Sequence, residues 1–161
     1  MRPFISILIM LLSCALSAEE TAVDRVVVYK SKRLMELQQQ GRRVKSYAIS
    51  LGDNPVGHKQ QQGDERTPEG AYFIDYRNQH SRFHRSLHIS YPNKQDRENA
   101  KKRGIDSGGL IMIHGLPNGY GWAKVGYAGR DWTDGCIAVT NEEIEEIWRL
   151  VKDGTPIMIN P

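Results

Sequence analysis

Cys136 and His114 are the residues of this 161-residue chain best suited to covalent chemistry. A thiol that attacks a carbonyl must be partly thiolate, which needs a base or cation beside it, and the resulting oxyanion needs N–H donors. His114 follows the apolar run Leu110-Ile111-Met112-Ile113, and Cys136 sits in Thr133-Asp134-Gly135-Cys136-Ile137-Ala138-Val139. Gly135, directly before the thiol, lets the chain turn sharply and leaves the amides of Gly135 and Cys136 able to face an acyl oxygen. On these residues alone an acyl-transfer site competes with an inert buried cysteine beside a core histidine. The enzyme reading carries two expectations: a Cys136 thiol that reacts readily near neutral pH, and loss of rate in His114→Ala with the fold intact.

The chain has two cysteines, and the other, Cys14, lies in an N-terminal segment with the pattern of an export signal. Arg2 precedes an uncharged apolar run from Phe4 to Leu16, followed by small residues before Glu19 and Glu20. That run is too short to span a bilayer. The expected organisation is a signal peptide over residues 1–18 and one catalytic domain over 19–161. Leu11-Leu12-Ser13-Cys14 also has the form of a lipoprotein box, so anchoring through Cys14 competes with simple export to the periplasm. After removal of residues 1–18, Cys136 is the sole cysteine left, and a lone thiol in an oxidising compartment cannot serve as an intramolecular staple.

The full chain carries a net charge of +3, and loss of Arg2 with the signal leaves +2 on residues 19–161. Acids and bases are interspersed, so nothing demands nucleic acid or an anionic membrane as partner. Lys101-Lys102-Arg103 reads as a solvated helix end. No second apolar run is long enough for a transmembrane span.

The elements that must position the two residues are mainly strands. Arg25-Val26-Val27-Val28-Tyr29-Lys30 and Arg33 to Leu37 flank a tight Ser31-Lys32 connection and predict a hairpin. Val44 to Leu51 predicts a third strand with Tyr47 and Ile49 on one face. Residues 52–63 are rich in Gly, Asn, Pro and Gln and predict an irregular loop. Ala71 to Tyr76 predicts a fourth strand. Leu87, Ile89 and Tyr91 alternate with Ser86, His88 and Ser90, which predicts a strand with one apolar and one polar face. Asp96 to Arg103 fits a helix closed by Gly104, and Leu110 to Ile113 a buried strand that delivers His114. Thr140 and Glu143 form a capping-box pair ahead of Ile144, Ile147, Trp148 and Val151, which predicts a C-terminal amphipathic helix. Pro156 to Ile159 adds a closing strand. The predicted fold is mainly β with short helices, a sandwich or partly open barrel with a long active-site loop from Gly115 to Trp132. That loop carries Tyr120, Trp122, Tyr127 and Trp132, aromatics that either line a cleft or pin the loop to the core.

With these residues in place, Ile113-His114-Gly115 followed by Thr133-Asp134-Gly135-Cys136-Ile137 resembles the signature of the L,D-transpeptidase (YkuD-type) catalytic domain. Gly63 to Gly70, containing Thr67-Pro68-Glu69-Gly70, resembles the family's Thr-Pro-x-Gly region, so the likeness covers nearly all of residues 19–161. It implies a β-sandwich-like fold in which Cys136 attacks the diaminopimelate carbonyl of a peptidoglycan tetrapeptide stem and releases D-alanine. A thioacyl-enzyme then passes the acyl group to an amine of another stem, a free D-amino acid or a wall-anchored lipoprotein. His114 acts as base and then acid, and the Gly115 carbonyl orients the imidazole. No metal or organic cofactor is implied.

The chain departs from the resembled pattern at Ala138, where many members carry Arg or Asn, and at Asp134, where many carry His or Lys. An acid beside the thiol raises its pKa. These changes resemble a branch that includes cleaving enzymes, so hydrolysis (an L,D-carboxypeptidase, or an amidase releasing wall-attached protein) competes with transfer. A peptidoglycan-binding module that lost catalysis is a further alternative, and a dimer linked through Cys136 another. Substrate contacts are expected from Thr133, Asp134, His88, Ser90, Arg66 and Trp122, with Arg82, Arg85 and Arg130 as further cations for stem carboxylates. His80, His84 and His88 recur every four residues, a helical metal spacing, but the strand pattern around Leu87 argues against a shared face.

Overall fold

The computed structural model describes residues 23–119 and 130–161. The signal segment with Cys14, and Tyr120, Trp122 and Tyr127 of the long loop, lie outside the described residues. Eight strands form one open mixed sheet in the order β3-β2-β1-β8-β4-β5-β6-β7. The expected mainly-β domain with short helices is therefore what the chain builds.

The hairpin forms as predicted, with β1 (Arg25–Tyr29) and β2 (Leu34–Gln39) joined by a 3-10 turn over Lys30–Lys32 and extended by β3 (Arg42–Ala48). β1 then pairs in parallel with β8 (Pro156–Asn160), which pairs antiparallel with β4 (Gly70–Ser81). The last strand thus sits mid-sheet between the first and the fourth, a placement that no local pattern announces. Val26 and Val28 are fully buried and Val27 is nearly so, as suits a strand paired on both sides.

β4 runs five residues beyond the predicted strand and pairs with β5 (His84–Ile89). The expected polar face of β5 is corrected: Ser86 and His88 are buried along with Leu87 and Ile89. The cause is position, since β5 is interior to the sheet between β4 and β6 (Met112–His114). Leu110 is likewise corrected, being 73% exposed and in the left-handed region at φ 55° rather than in a buried strand. β6 pairs in parallel with β7 (Ile137–Ala138), which closes that edge.

The helix α1 (Lys94–Arg103) is capped by Asn93 and closed by Gly104 in the left-handed conformation. The helix α2 (Asn141–Leu150) opens with the predicted capping box, in which Thr140 Oγ1 accepts the Glu143 amide and the Glu143 carboxylate accepts the Thr140 amide. Ile144 and Ile147 of α2, with Val151 after it, are fully buried in the core with Leu87 and Ile113. Trp148 lies under the guanidinium groups of Arg77 and Arg85, at 5.3 and 5.0 Å. Because α2 starts two residues after β7 and packs on β5 and β6, it clamps the strands that carry the chemistry.

Lys30, buried with 2% exposure, ties the irregular loop to β1. Its ammonium donates to the carbonyls of Gly57 and Thr67, at 2.7 and 2.9 Å, and to Glu69 Oε1 at 2.8 Å. All three N–H groups are used. Thr67, fully buried, accepts the Gly52 amide on Oγ1 at 3.2 Å. The Thr-Pro-Glu-Gly stretch is thereby a brace that sets where the 52–69 loop passes the thiol.

Candidate active site

Parallel pairing of β6 and β7 sets Ile113 opposite Ile137 and His114 opposite Ala138. Cys136, just before β7, is level with Met112, so the thiol and His114 are diagonal neighbours on one face. Both line a cleft of about 630 Å³ together with Thr133, Asp134 and Trp132.

His114 is 3% exposed and packs against Phe83 at 4.4 Å and Trp132 at 5.7 Å between ring centroids. Its Nδ1 lies 2.7 Å from the Gly115 carbonyl oxygen. A carbonyl only accepts, so Nδ1 carries the proton and Nε2 keeps its lone pair. Burial pushes the imidazole down to about 4, and the Gly115 carbonyl offsets only part of that. A side chain at Gly115 would put its Cβ 2.6 Å from Asn141 Oδ1, which itself holds the Leu116 amide at 2.8 Å.

Cys136 is half-buried, and its thiol is pushed up to about 11, chiefly by burial. The Met112 amide, which donates to Sγ at 3.4 Å, and the Lys59 charge pull it down; Asp134 pushes it up. Sγ–H donates to the Leu110 carbonyl at 3.6 Å. Both shifts favour a neutral thiol beside a neutral imidazole at rest, because burial disfavours both ions. Such a pair does acyl chemistry by proton transfer during attack rather than from a stored thiolate.

Thr133, 5% exposed, shapes the turn into the thiol by accepting the Gly135 amide at 3.2 Å and donating to the Cys136 carbonyl at 2.7 Å. Of the two amides expected to face an acyl oxygen, that of Gly135 is thus taken by Thr133. Gly135 adopts φ 118°, and a Cβ there would meet the Arg66 carbonyl oxygen at 2.5 Å. Gly135→Ala is expected to cost about 3 kcal/mol of stability from strain and overlap. By displacing the thiol it should also lower turnover about 100-fold, read by thermal melting and steady-state assay. Wild-type values on both counts would remove the requirement for glycine.

The remaining candidates separate by place. Arg82 lines the cleft from the β4–β5 turn, with His80 beside it. Arg66 does not; its half-buried side chain lies against Gly57, and only its carbonyl reaches the thiol's turn. His88 is 9% exposed, bonded to Asp75 Oδ1 at 2.6 Å and stacked on Tyr76. Ser90 Oγ accepts the Phe73 amide at 2.9 Å. Neither lines the cleft. Arg85 pairs with Glu145 at 3.1 Å, and Arg130 is exposed outside the cleft lining. Trp122 lies outside the described residues. His80, His84 and His88 face Gln79, Glu145 and Asp75 respectively, and no metal-ligand group of three forms among the described residues. Ala138, 3% exposed, is bridged to Ser50 through both of its backbone groups at 2.9 Å.

Sequence reading missed Phe83, Lys59 and the Arg33–Asp131 pair. Arg33 grips Asp131 through Nε at 3.0 Å and a terminal nitrogen at 2.6 Å, and Asp131 Oδ1 accepts the Leu51 amide at 2.9 Å. This fixes the residue preceding Trp132, hence the ring beside His114. Arg33 and Asp131 are 98 positions apart, which no spacing rule covers.

The model of the L,D-transpeptidase catalytic domain family (YkuD) matches residues 23–159. The Escherichia coli K12 protein YafK is 31% identical over 134 residues, covering 78% of this chain and 46% of YafK. Pgp2 of Campylobacter jejuni, described as a helical cell shape determining protein, superposes with a TM-score of 0.65 at 27% identity, over 85% of this chain and 47% of that one. An L,D-transpeptidase from Xylanimonas cellulosilytica matches with a TM-score of 0.56 at 16% identity, over 88% and 62%, and shows the shared fold. The chain spans about half the length of the first two proteins.

Proposed function

Because the chain belongs to the L,D-transpeptidase catalytic domain family, we propose that it is a cysteine acyltransferase acting on peptidoglycan stem peptides outside the cytoplasm. The single observation that carries the reading is the pairing of a half-buried thiol with an imidazole whose Nε2 is left as acceptor, both lining one cleft.

In this reading Cys136 Sγ attacks the diaminopimelate carbonyl of a tetrapeptide stem while Nε2 of His114 takes the thiol proton. The carbonyl oxygen, now negative, is met by the Cys136 amide. Collapse breaks the carbon–nitrogen bond, and His114 returns the proton to the departing amine of D-alanine. The thioacyl-enzyme is then attacked by an acceptor amine, whose proton passes to His114 and on to the leaving sulfur. Gly115 holds the tautomer throughout, and Phe83 and Trp132 keep water from the imidazole. Export through the N-terminal signal suits a wall substrate, and Pgp2, a relative by fold and sequence, is itself a determinant of cell shape. With water as acceptor the same steps yield a carboxypeptidase.

The test is intact mass of residues 19–161 incubated with a disaccharide-tetrapeptide, with and without an acceptor amine, beside Cys136→Ala. The expected result is an acyl adduct on Cys136, free D-alanine and a joined product, all absent in Cys136→Ala. Free D-alanine with only tripeptide assigns hydrolysis, and no adduct with no turnover overturns the reading in favour of a binding module.

A further inference from the structure

Lys59 is almost fully buried in a loop of polar residues, and the acyl-transfer steps give it no contact with the substrate. Its side chain is 2% exposed, and the residue borders the cleft that holds Cys136 and His114 as well as a neighbouring cavity lined by His58, Tyr91 and Asp96. A buried ammonium is costly, and lysines are almost never fully buried without a partner. Here the partners take only part of the donor set. The ammonium donates to the Gln61 carbonyl at 3.1 Å and to Asp64 Oδ1 at 2.8 Å, which leaves one N–H without a partner among the described residues. Asp64 also accepts the amides of Gln60, Gln61 and Arg66, at 2.7, 3.1 and 3.1 Å. Three backbone dipoles therefore share the negative charge that faces the lysine's field. That field reaches the thiol, where it opposes burial and Asp134.

The cleft has two distinguishable ends. From Met112, level with the thiol, β6 runs forward to His114 between Phe83 and Trp132. In the other direction the chain runs back through Leu110 and Gly109 to the 106–108 turn. The Gln62 amide donates to the Asp106 carbonyl at 2.8 Å, and Gly108 touches Gln62, so the Lys59 loop borders that second end. His114 serves the leaving amine and the incoming one, which places both at its end. The acyl part of the substrate extends the other way, towards Lys59.

Resting on the acyl-transfer reading above, we infer that Lys59 is a specificity residue that receives a carboxylate carried on the acyl side of the scissile bond. For a diaminopimelate donor that group is the carboxylate of its distal centre. A donor with that carboxylate converted to a carboxamide, or with lysine in its place, offers the ammonium no anion.

The experiment compares two tetrapeptide donors that differ only in a free or amidated distal carboxylate, assayed with wild type, Lys59→Met and the double variant Lys59→Met/Asp64→Asn. The double variant leaves no unpaired buried charge, so it serves where the single one fails to fold. Wild type is expected to favour the free acid about tenfold or more in kcat/KM, chiefly through KM. In both variants the acid-to-amide ratio of kcat/KM should fall to about one, because loss of the lysine's field at the thiol acts equally on the two donors. Equal losses on the two donors, or no preference in wild type, overturn the inference and make Lys59 a loop brace. No turnover of either donor by wild type overturns the acyl-transfer reading and the inference with it.

Discussion

Replacing His114 with glutamine is expected to lower turnover about 10³-fold, the range of a lost general base, while thermal melting stays near wild type. Glutamine can keep a donor towards the Gly115 carbonyl, so the variant removes the proton acceptor more than the packing. The effect is large because the thiol cannot act alone. With Cys136 pushed up by burial to about 11, the thiol is mainly protonated at pH 7. The sign of the pH dependence follows from the two shifts. The base must be neutral, and its value of about 4 keeps it neutral down to about pH 5. The thiol must carry its proton to transfer it, and it does so up to about pH 10. Formation of the thioacyl-enzyme, read as single-turnover D-alanine release, should thus hold from about pH 5 to about pH 10 and fall as pH drops towards 4. Alkylation of the free enzyme by iodoacetamide should be slow at pH 7 and climb steadily above pH 9. A plateau in alkylation between pH 6 and 8 would instead report a thiolate–imidazolium pair at rest and contradict the neutral-pair account.

Lys30→Met is expected to destabilise the domain by about 3 kcal/mol, although neither Lys30 nor its partners line the cleft that holds the thiol. Methionine fills the space of the lysine stem but supplies no donor. The carbonyls of Gly57 and Thr67 then lose their partner, and Glu69 loses its cation. Arg43→Met breaks the pair with Glu36, whose arginine is 61% exposed, and should cost under about 1 kcal/mol. Urea midpoints of the two variants make the comparison, and equal shifts would show that Lys30 is no brace. Turnover should fall as well, since Thr67 holds Gly52 and a Cβ at Gly52 would already touch Glu65 and Gly135. The loop passes the thiol's turn at contact distance, so slack in one becomes error in the other.

Gly135 and Lys59 show the two kinds of legibility in this protein. Gly135 could be picked out beforehand because a glycine ahead of a candidate nucleophile has a local meaning, a sharp turn. Its amide was misassigned because the partner that takes it, Thr133 Oγ1, is a matter of side-chain rotamer. The capping box at Thr140 and Glu143 was legible for the same local reason, since N-cap and N3 are fixed in separation. Lys59 had no such mark. In a polar loop a lysine reads as solvated, and only the fold of residues 59–66 around Asp64 buries it.

What the sequence by itself determined is the set of chemical parts and the local elements that carry them. The thiol, the imidazole, the glycine turn, the β1–β2 hairpin and α2 all follow from residue type at short separation. These interactions are closed within a few residues and do not depend on the rest of the chain. Tertiary structure alone decided the insertion of β8 between β1 and β4, the burial of the polar side of β5, and the aromatic packing of Phe83 and Trp132 on His114. It also set the direction of the pKa shifts at Cys136 and His114. A pKa is set by how much water and which charges surround a group, and that surrounding is assembled from segments far apart in the chain.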